Sequence, residues 1–208
     1  KKMGAKIKIK SGYVIAKAKK GMKGSNIRFP EISVGATENI LLAACFSIGK
    51  SKLSNCATEP EIQDLVIFLK KLGCKIKWTG KRSLEIEGIK KTKSATHKVI
   101  FDRIEAGTYM IAALLTNGKV KIKNIDISIM SVVIKLLKKM GSKILKRKNY
   151  IVVSSSKNLK SAIIKTKPYP GFPTDLQAQL MVLMTKAKGI SKIKESIFEN
   201  RFMHVSEL

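Results

Sequence analysis

Two segments near the end of the chain carry side chains that could act on one substrate. In residues 168–175, three prolines and a glycine precede Asp175, which predicts a rigid loop presenting this carboxylate in the first turn of a helix. There Asp175 could cap the helix or accept a proton from a bound hydroxyl group. In residues 198–204, Arg201 stands between two phenylalanines, where it could bind a phosphate or carboxylate or pair with a nearby glutamate.

Two earlier segments also break the pattern of lysines and apolar residues. Residues 32–37 form a loop of small side chains that runs into a helix, where free N–H groups could bind an anion or Ser and Thr could simply cap the helix. Residues 101–108 gather Asp102, Arg103 and Glu105 before another helix. An Asp–Arg ion pair there could brace a junction, and the position also suits a connection between domains.

The cysteines and histidines give no sign of a metal site. Cys45, Cys56 and Cys74 are odd in number and lack Cys-x-x-Cys spacing. They are typical of reduced thiols in a cytoplasmic protein and predict neither a disulfide framework nor a zinc site. His97 and His204 stand without neighbouring metal ligands, so structural or solvent roles are favoured for both.

The strong positive charge makes nucleic acid the first macromolecular partner to consider. The 208 residues contain 42 Lys and Arg against 14 Asp and Glu, giving a net charge of +28. Only five of the basic residues are arginine, and the few aromatic residues are not interleaved with them as base stacking would need. Lysines instead alternate with apolar residues, as in 6–10 and 119–123, which indicates strands with one solvated face. Specific nucleic-acid binding is therefore disfavoured.

The chain also lacks an apolar stretch long enough to cross a membrane.

These candidate residues are embedded in an internal repeat. Residues 1–7, 70–76 and 138–144 nearly copy one another, and their glycines, Gly73 and its counterparts, are 69 and 68 residues apart. A period near 70 is long enough for each copy to be a small α/β subdomain. Lys1 would then begin inside a repeat, which predicts that the chain is a fragment of a longer protein.

Each repeat is predicted to contain two kinds of helix. In one kind, Pro60 begins the helix and Gly73 ends it, and two short strands follow. The other kind is predicted to begin at a threonine cap and to end at a glycine. The threonines are Thr37, Thr108 and Thr174, and the glycines are Gly49, Gly118 and Gly189.

Five ordered motifs resemble the UDP-N-acetylglucosamine 1-carboxyvinyltransferases, a family of enolpyruvyl transferases. The motifs are residues 33–37, 59–62, 102–108, 170–179 and 198–204. The resemblance covers the whole chain. It implies an α/β fold in which repeated βαβαββ subdomains form inside-out α/β barrels. The chain would hold two partial domains, the later part of the first over residues 1–101 and the earlier half of the second over residues 102–208.

The resemblance also implies roles for individual residues. Asp175 matches the carboxylate that contacts the sugar 3-hydroxyl and is proposed as its general base, and Arg201 matches a cation facing phosphoenolpyruvate. The backbone at Ile197 matches a contact to the N-acetylglucosamine group. Glu59 and Asp102 match acidic residues that line the cleft between the domains. The loop that holds the diphosphate is matched by Glu31, Ile32, Ser33, Val34 and Gly35.

The implied reaction transfers the enolpyruvyl group of phosphoenolpyruvate to UDP-N-acetylglucosamine, without a cofactor, in the first committed step of peptidoglycan precursor synthesis. The chain departs from the family at Glu31, since an acid lies where a basic or apolar residue is common. The family's reactive cysteine would lie upstream of Lys1, so none of the three cysteines is predicted to be catalytic and the fragment alone is expected to be inactive. A related transferase acting on shikimate 3-phosphate shares the architecture, but residues 171–175 and 198–204 favour the UDP-sugar.

Overall fold

The chain forms two compact units. The computed structural model describes residues 1–155 and 158–208, and the units span Lys1–Ile100 and Phe101–Leu208. We call them unit 1 and unit 2. Each unit has its own cluster of buried apolar side chains.

Unit 1 consists of a β-hairpin followed by one βαβαββ subdomain. Its elements are β1 (Lys6–Lys10), β2 (Tyr13–Lys17), β3 (Asn26–Arg28), α1 (Val34–Cys45), β4 (Lys50–Ser54), α2 (Pro60–Lys71), β5 (Lys75–Gly80) and β6 (Ser83–Glu87). Strands β3 to β6 form one sheet in the order β3-β4-β6-β5. The β3–β4 pair is parallel, and β6 is antiparallel to both of its neighbours.

Unit 2 repeats most of this arrangement. Its elements are α3 (Arg103–Leu115), β7 (Lys119–Lys123), α4 (Ser131–Lys139), β8 (Lys143–Arg147), β9 (Tyr150–Ser154), β10 (Ile163–Lys165), a 3₁₀ turn (Thr174–Leu176), α5 (Gln177–Thr185), β11 (Lys192–Lys194) and a last 3₁₀ helix (Met203–Glu207). Strands β7, β9 and β8 form an antiparallel sheet in that order, while β10 and β11 pair in parallel. The predicted class, α/β with a repeated subdomain, is confirmed.

The helices bury the apolar faces that their spacing predicts. On α2, Ile62, Val66 and Leu69 are buried, three or four residues apart, so they lie on one side of the helix. On α4, Ile134 and Leu137 are completely or almost completely buried. Each such side chain contributes roughly 1.5–3 kcal/mol when it is removed from water.

The predicted glycine stops of α2 and α4 are confirmed. Gly73 and Gly141 follow these helices with φ angles of +101° and +102°, a left-handed conformation that glycine adopts without steric cost. The next N–H groups, of Cys74 and Ser142, then bond back to carbonyl oxygens of the last helical turn, each at 3.0 Å.

The predicted threonine caps are wrong. The structure begins α1 earlier, because Ser33 Oγ accepts the N–H of Ala36 at 3.3 Å, and Thr37 lies inside the helix. It begins α3 after Asp102, whose Oδ1 accepts the N–H of Ile104 at 2.7 Å, so Thr108 is also internal. Thr174 is the first residue of the 3₁₀ turn that precedes α5 and not a cap.

The predicted ends of the same helices are also displaced. The helices end at Cys45, Leu115 and Thr185, three or four residues before Gly49, Gly118 and Gly189. The residues between each helix end and its glycine form turns. Their N–H groups donate to the last helical carbonyl oxygens, as Phe46 N does to Ala43 O at 3.3 Å.

The β1–β2 hairpin has two exposed faces of different character. Ile7 pairs with Ala16 and Ile9 with Val14, so one face is apolar. Lysines dominate the other face. Every residue of both strands is exposed, including Ile9 at 77% and Val14 at 69%.

Candidate functional site

The predicted catalytic residues lie together on one cavity of unit 2. The cavity has a volume of about 410 Å³ and lies between the start of α5 and the end of the chain. Thr174, Asp175 and Gln177 line one side, and Asn200, Arg201 and His204 line the other. Its walls therefore carry a carboxylate, a guanidinium and several other hydrogen-bonding side chains.

Asp175 and Arg201 contact each other directly. Arg201 Nη1 donates to Asp175 Oδ1 at 2.9 Å and to Thr174 Oγ1 at 2.8 Å. Its guanidinium also lies 4.9 Å from the centre of the Phe198 ring. The sequence leaves open an anion site or an internal pair with Glu195 or Glu199 for Arg201. The structure shows an internal pair, but its partner is Asp175 and not a glutamate.

The Asp175–Arg201 pair is open to exchange. The side chain of Asp175 is 54% exposed and that of Arg201 is 37% exposed. Ion pairs with this much access to water contribute little net stability, about 0–1 kcal/mol. An anionic ligand that enters the cavity could therefore replace Asp175 as the partner of Arg201 and leave the carboxylate free to accept a proton.

Glu195, which the sequence offers only as a possible partner of Arg201, instead bonds to groups beside the cavity. It follows β11, and its carboxylate accepts hydrogen bonds from Thr166 Oγ1 at 2.7 Å, Thr174 Oγ1 at 2.9 Å and the N–H of Ile197 at 2.8 Å. Burial is the largest single influence and opposes ionisation, but these hydrogen bonds together outweigh it and lower the pKa of the Glu195 carboxyl. Glu195 is thus held as an anion next to the cavity.

The lowered pKa of Glu195 predicts a pH-dependent stability. Because the pKa in the folded protein lies below the usual value of 4.5, the unfolded chain takes up this proton more readily. Glu195 therefore stabilises the fold above that pH, and its contribution is lost as the pH falls through the folded-state pKa. Glu195→Gln is expected to lower the melting temperature of the complete protein near neutral pH, and the difference should shrink below about pH 4. A difference that stays constant from about pH 7 to pH 3 would contradict this reason.

Ile197 is fixed by the same carboxylate. Its N–H donates to Glu195 Oε1, and Ser196, one residue earlier, donates its N–H to Thr166 Oγ1 at 2.8 Å. The backbone that the resemblance assigns to the sugar contact is therefore held against the end of β10 and positioned relative to Thr174.

The predicted diphosphate loop in unit 1 leads into the N-terminus of α1. Glu31 and Ser33 are exposed, and Ser33 caps the helix as described above. Gly35 leaves open space, since no atom lies within 4 Å of where its Cβ would be. The free N–H groups of this first turn favour an anion, whereas the exposed carboxylate of Glu31 opposes one.

The two other predicted acids, Glu59 and Asp102, belong to unit 1 and unit 2. Thr37 Oγ1 accepts the N–H of Ala57 at 3.0 Å, which joins α1 to the segment that begins α2. Glu59 is only 6% exposed, and its Oε2 accepts the N–H of Thr58 at 2.8 Å. Asp102 caps α3. Both acids therefore have structural contacts of their own, which the sequence did not indicate.

The three cysteines are buried and free. Burial is the main reason that the pKa of the Cys56 thiol is raised to about 11, and burial together with the neighbouring Cys74 thiol raises the pKa of Cys45. Since the thiolate is the reactive form, neither Cys45 nor Cys56 is poised as a nucleophile, and the burial of Cys74 restricts the access of a reagent to its sulfur.

The thiols are accordingly expected to be inert in the folded protein. Ellman's reagent at pH 8 should leave Cys45, Cys56 and Cys74 unmodified over hours, and should react with all three once guanidinium unfolds the chain. Rapid reaction of any of them under native conditions would show that its surroundings are more open than the structure indicates.

Within residues 1–155 and 158–208, no group of three or more His, Cys, Asp or Glu side chains is arranged to hold a metal ion. His97 Nε2 lies 3.0 Å from Asp64 Oδ1 and its ring contacts Phe68, whereas His204 lines the cavity. Over the same residues, every helix is too short or too polar to cross a lipid bilayer.

Comparison with curated proteins bears out the resemblance. The UDP-N-acetylglucosamine 1-carboxyvinyltransferase of Pelagibacter ubique is 60% identical over 207 residues, which cover 100% of this chain and 50% of that protein. The enzyme of the same name from Endomicrobium trichonymphae is 51% identical over 208 residues, again 100% of this chain and 50% of that protein. The chain therefore spans about half the length of the curated relatives it matches.

Solved structures share the fold at low sequence identity. The enolpyruvyl transferase NikO from Streptomyces tendae has a TM-score of 0.89 at 22% identity, covering 100% of this chain and 52% of that chain. EPSP synthase from Acinetobacter baumannii has a TM-score of 0.60 at 20% identity, covering 92% and 45%. A family model described as EPSP synthase (3-phosphoshikimate 1-carboxyvinyltransferase) matches residues 1–208. This chain therefore belongs to the EPSP synthase family.

Proposed function

We propose that this chain is part of a UDP-N-acetylglucosamine 1-carboxyvinyltransferase. The complete protein would transfer the enolpyruvyl group of phosphoenolpyruvate to the 3-hydroxyl of UDP-N-acetylglucosamine. Its relatives at 60% and 51% identity are named UDP-N-acetylglucosamine 1-carboxyvinyltransferase, which supports the proposal. The observation that carries the proposal is the contact of Asp175 with Arg201 at one cavity, because it places a base beside a cation that can bind an anion.

In this proposal Asp175 acts as the general base. It accepts the proton of the sugar 3-hydroxyl as that oxygen attacks C2 of phosphoenolpyruvate, while C3 of phosphoenolpyruvate is protonated. Phosphate then leaves C2 of the tetrahedral intermediate while C3 gives up a proton, which restores the C2–C3 double bond of the enolpyruvyl product. A positioned general base typically contributes 10²–10⁴-fold to such a step.

Arg201 supplies positive charge for phosphoenolpyruvate. Its planar guanidinium can bond two oxygens of a phosphate or carboxylate at once. Its contacts to Thr174 and the Phe198 ring hold it at the cavity even when Asp175 is occupied by the sugar hydroxyl. The backbone at Ile197 is the proposed contact to the N-acetylglucosamine group.

Unit 1 is proposed to supply the diphosphate contact through residues 31–35. The N-terminus of α1 and the open space at Gly35 favour it. Glu59 and Asp102 are proposed to lie near the bound substrates. Residues 1–101 would belong to the first domain of the enzyme and residues 102–208 to the second. The remainder of the polypeptide would complete both domains. The complete enzyme is proposed to be cytoplasmic.

The test is phosphate release by the complete protein. Purified enzyme with phosphoenolpyruvate is expected to release phosphate when UDP-N-acetylglucosamine is added, and shikimate 3-phosphate should not replace it. Phosphate release only with shikimate 3-phosphate would instead favour a second candidate activity, that of a 3-phosphoshikimate 1-carboxyvinyltransferase. The description of the matching family model supports this candidate. No release with either acceptor would overturn both.

A further inference from the structure

The hydroxyl group of Thr174 lies between Glu195 and Arg201. Thr174 Oγ1 is 2.9 Å from Glu195 Oε2 and 2.8 Å from Arg201 Nη1. A carboxylate can only accept, and a guanidinium can only donate. The single hydroxyl proton must therefore point toward Glu195, and a lone pair of the oxygen must point toward Arg201.

Glu195 is held so firmly that it can fix this direction. Its Oε1 accepts from Thr166 Oγ1 at 2.7 Å and from the N–H groups of Ser196 and Ile197 at 3.0 and 2.8 Å. The oxygen of a neutral carboxamide could accept these three bonds, but its nitrogen, at the Oε2 position, would donate to Thr174 Oγ1 and could not accept from it. The three bonds therefore fix Oε1 and leave Oε2, the second oxygen of the carboxylate, to accept the Thr174 hydroxyl.

Arg201 depends on Thr174 more than on its other contacts. Asp175 is more than half exposed and is the proposed general base, so its pairing with Arg201 must be given up during the reaction. The Phe198 ring restricts the plane of the guanidinium but gives it no hydrogen-bond acceptor. Thr174 is the remaining neutral acceptor at Nη1, and it does not compete for the charge of an incoming anion.

We propose that Glu195 and Thr174 are positioning residues that hold the Arg201 guanidinium at the cavity while it exchanges Asp175 for an anionic group of the substrate. The anion is of the phosphate or carboxylate class, and the role rests on the proposed function. Glu195 touches neither substrate nor Arg201 and acts through the Thr174 hydroxyl. Thr174 keeps Nη1 in place when Asp175 turns to the sugar hydroxyl.

Thr174→Val is the decisive variant, and Thr166→Val is its matched control. Each substitution removes one hydroxyl group that donates to Glu195. The lost oxygen also accepts a hydrogen bond, from Arg201 at position 174 and from the N–H of Ser196 at position 166. Both should lower the melting temperature of the complete protein by similar amounts. Only the change at 174 breaks the connection to Arg201.

The expected kinetic result is a selective loss at Thr174. Thr174→Val should raise the KM for phosphoenolpyruvate about 10- to 100-fold, the range typical for losing control of a charged hydrogen bond. Thr166→Val should change it by about twofold or less, because Glu195 Oε1 keeps its bonds to the N–H groups of Ser196 and Ile197. Thr174→Ser, which restores the hydroxyl, should return it to within about threefold of wild type. Equal effects of the two valine variants, or no rescue by serine, would overturn the proposal.

A second measurement does not depend on activity. In ¹⁵N-labelled complete protein, the side-chain N–H signals of Arg201, assigned with Arg201→Lys, should be slow to exchange in wild type and in Thr166→Val. The same N–H signals should exchange rapidly in Thr174→Val. If the valine variants do not fold, Thr174→Ala and Thr166→Ala replace them as variant and control. Unchanged exchange at position 174 would refute the positioning role, whereas missing phosphate release by wild type would refute only the proposed reaction.

Discussion

Replacing Asp175 with asparagine in the complete protein is expected to lower kcat for enolpyruvyl transfer by about 10²–10⁴-fold. Asparagine keeps the shape of the side chain and can still accept a hydrogen bond from Arg201, but it cannot take up a proton near neutral pH. The side chain is 54% exposed, so the fold should be preserved. The loss should therefore appear in the chemical step and not in the melting temperature.

Phosphate release at saturating concentrations of both substrates measures this effect. Asp126→Asn is a suitable control, because Asp126 is another exposed carboxylate of unit 2, bonded to the N–H and hydroxyl of Ser128 and absent from the cavity lining. It should retain wild-type kcat. An Asp175→Asn enzyme with more than about half of wild-type kcat would show that another group accepts the proton.

Gly88→Ala is expected to destabilise unit 1 by at least about 3 kcal/mol. Gly88 follows β6, and a Cβ at this position would lie 1.7 Å from the carbonyl oxygen of Ser47 and 2.8 Å from its carbonyl carbon. Both are backbone atoms, so no side-chain rotation can relieve the overlap. The segments must separate, which would also break the hydrogen bond from Gly88 N to Gly49 O, now 3.1 Å long.

Denaturant unfolding of the complete protein, followed by the fluorescence of Trp78 in unit 1, measures this loss. Gly35→Ala is the matched control, since it makes the same chemical change in open space on a helix. It should leave stability unchanged or raise it by up to about 1 kcal/mol, because alanine favours helix more than glycine does. Equal unfolding midpoints for the two variants would show that the close approach at Gly88 can relax.

Local stop signals in the sequence could be predicted because they depend on single residues. Pro60 begins α2, and Gly73 and Gly141 end their helices at φ angles that other residues adopt only with strain. The start of α1 could not be assigned in the same way, since both Ser33 and Thr37 are possible caps. The structure uses Ser33, while Thr37 accepts the N–H of Ala57, a contact between residues far apart in the sequence.

The candidate site shows the same division between local and distant contacts. The resemblance indicated Asp175 and Arg201, but their contact joins residues 26 positions apart and is visible only in the structure. The cluster of hydrogen bonds around Glu195 was not predicted, because its members come together through the parallel pairing of β10 and β11. One signal could have found it: Thr166 and Glu195 each directly follow one of these strands, and the ends of parallel strands meet at one edge of a sheet.

The two-faced hairpin of β1 and β2 is expected to make the solubility of this polypeptide depend on salt. Its apolar face and unpaired strand edges can join a second copy, and the lysines at positions 6, 8 and 10 oppose this through electrostatic repulsion. Dissolved ions screen that repulsion within about 8 Å at physiological ionic strength. Added salt, which usually frees a basic protein from nucleic acid during purification, would therefore promote self-association of this polypeptide.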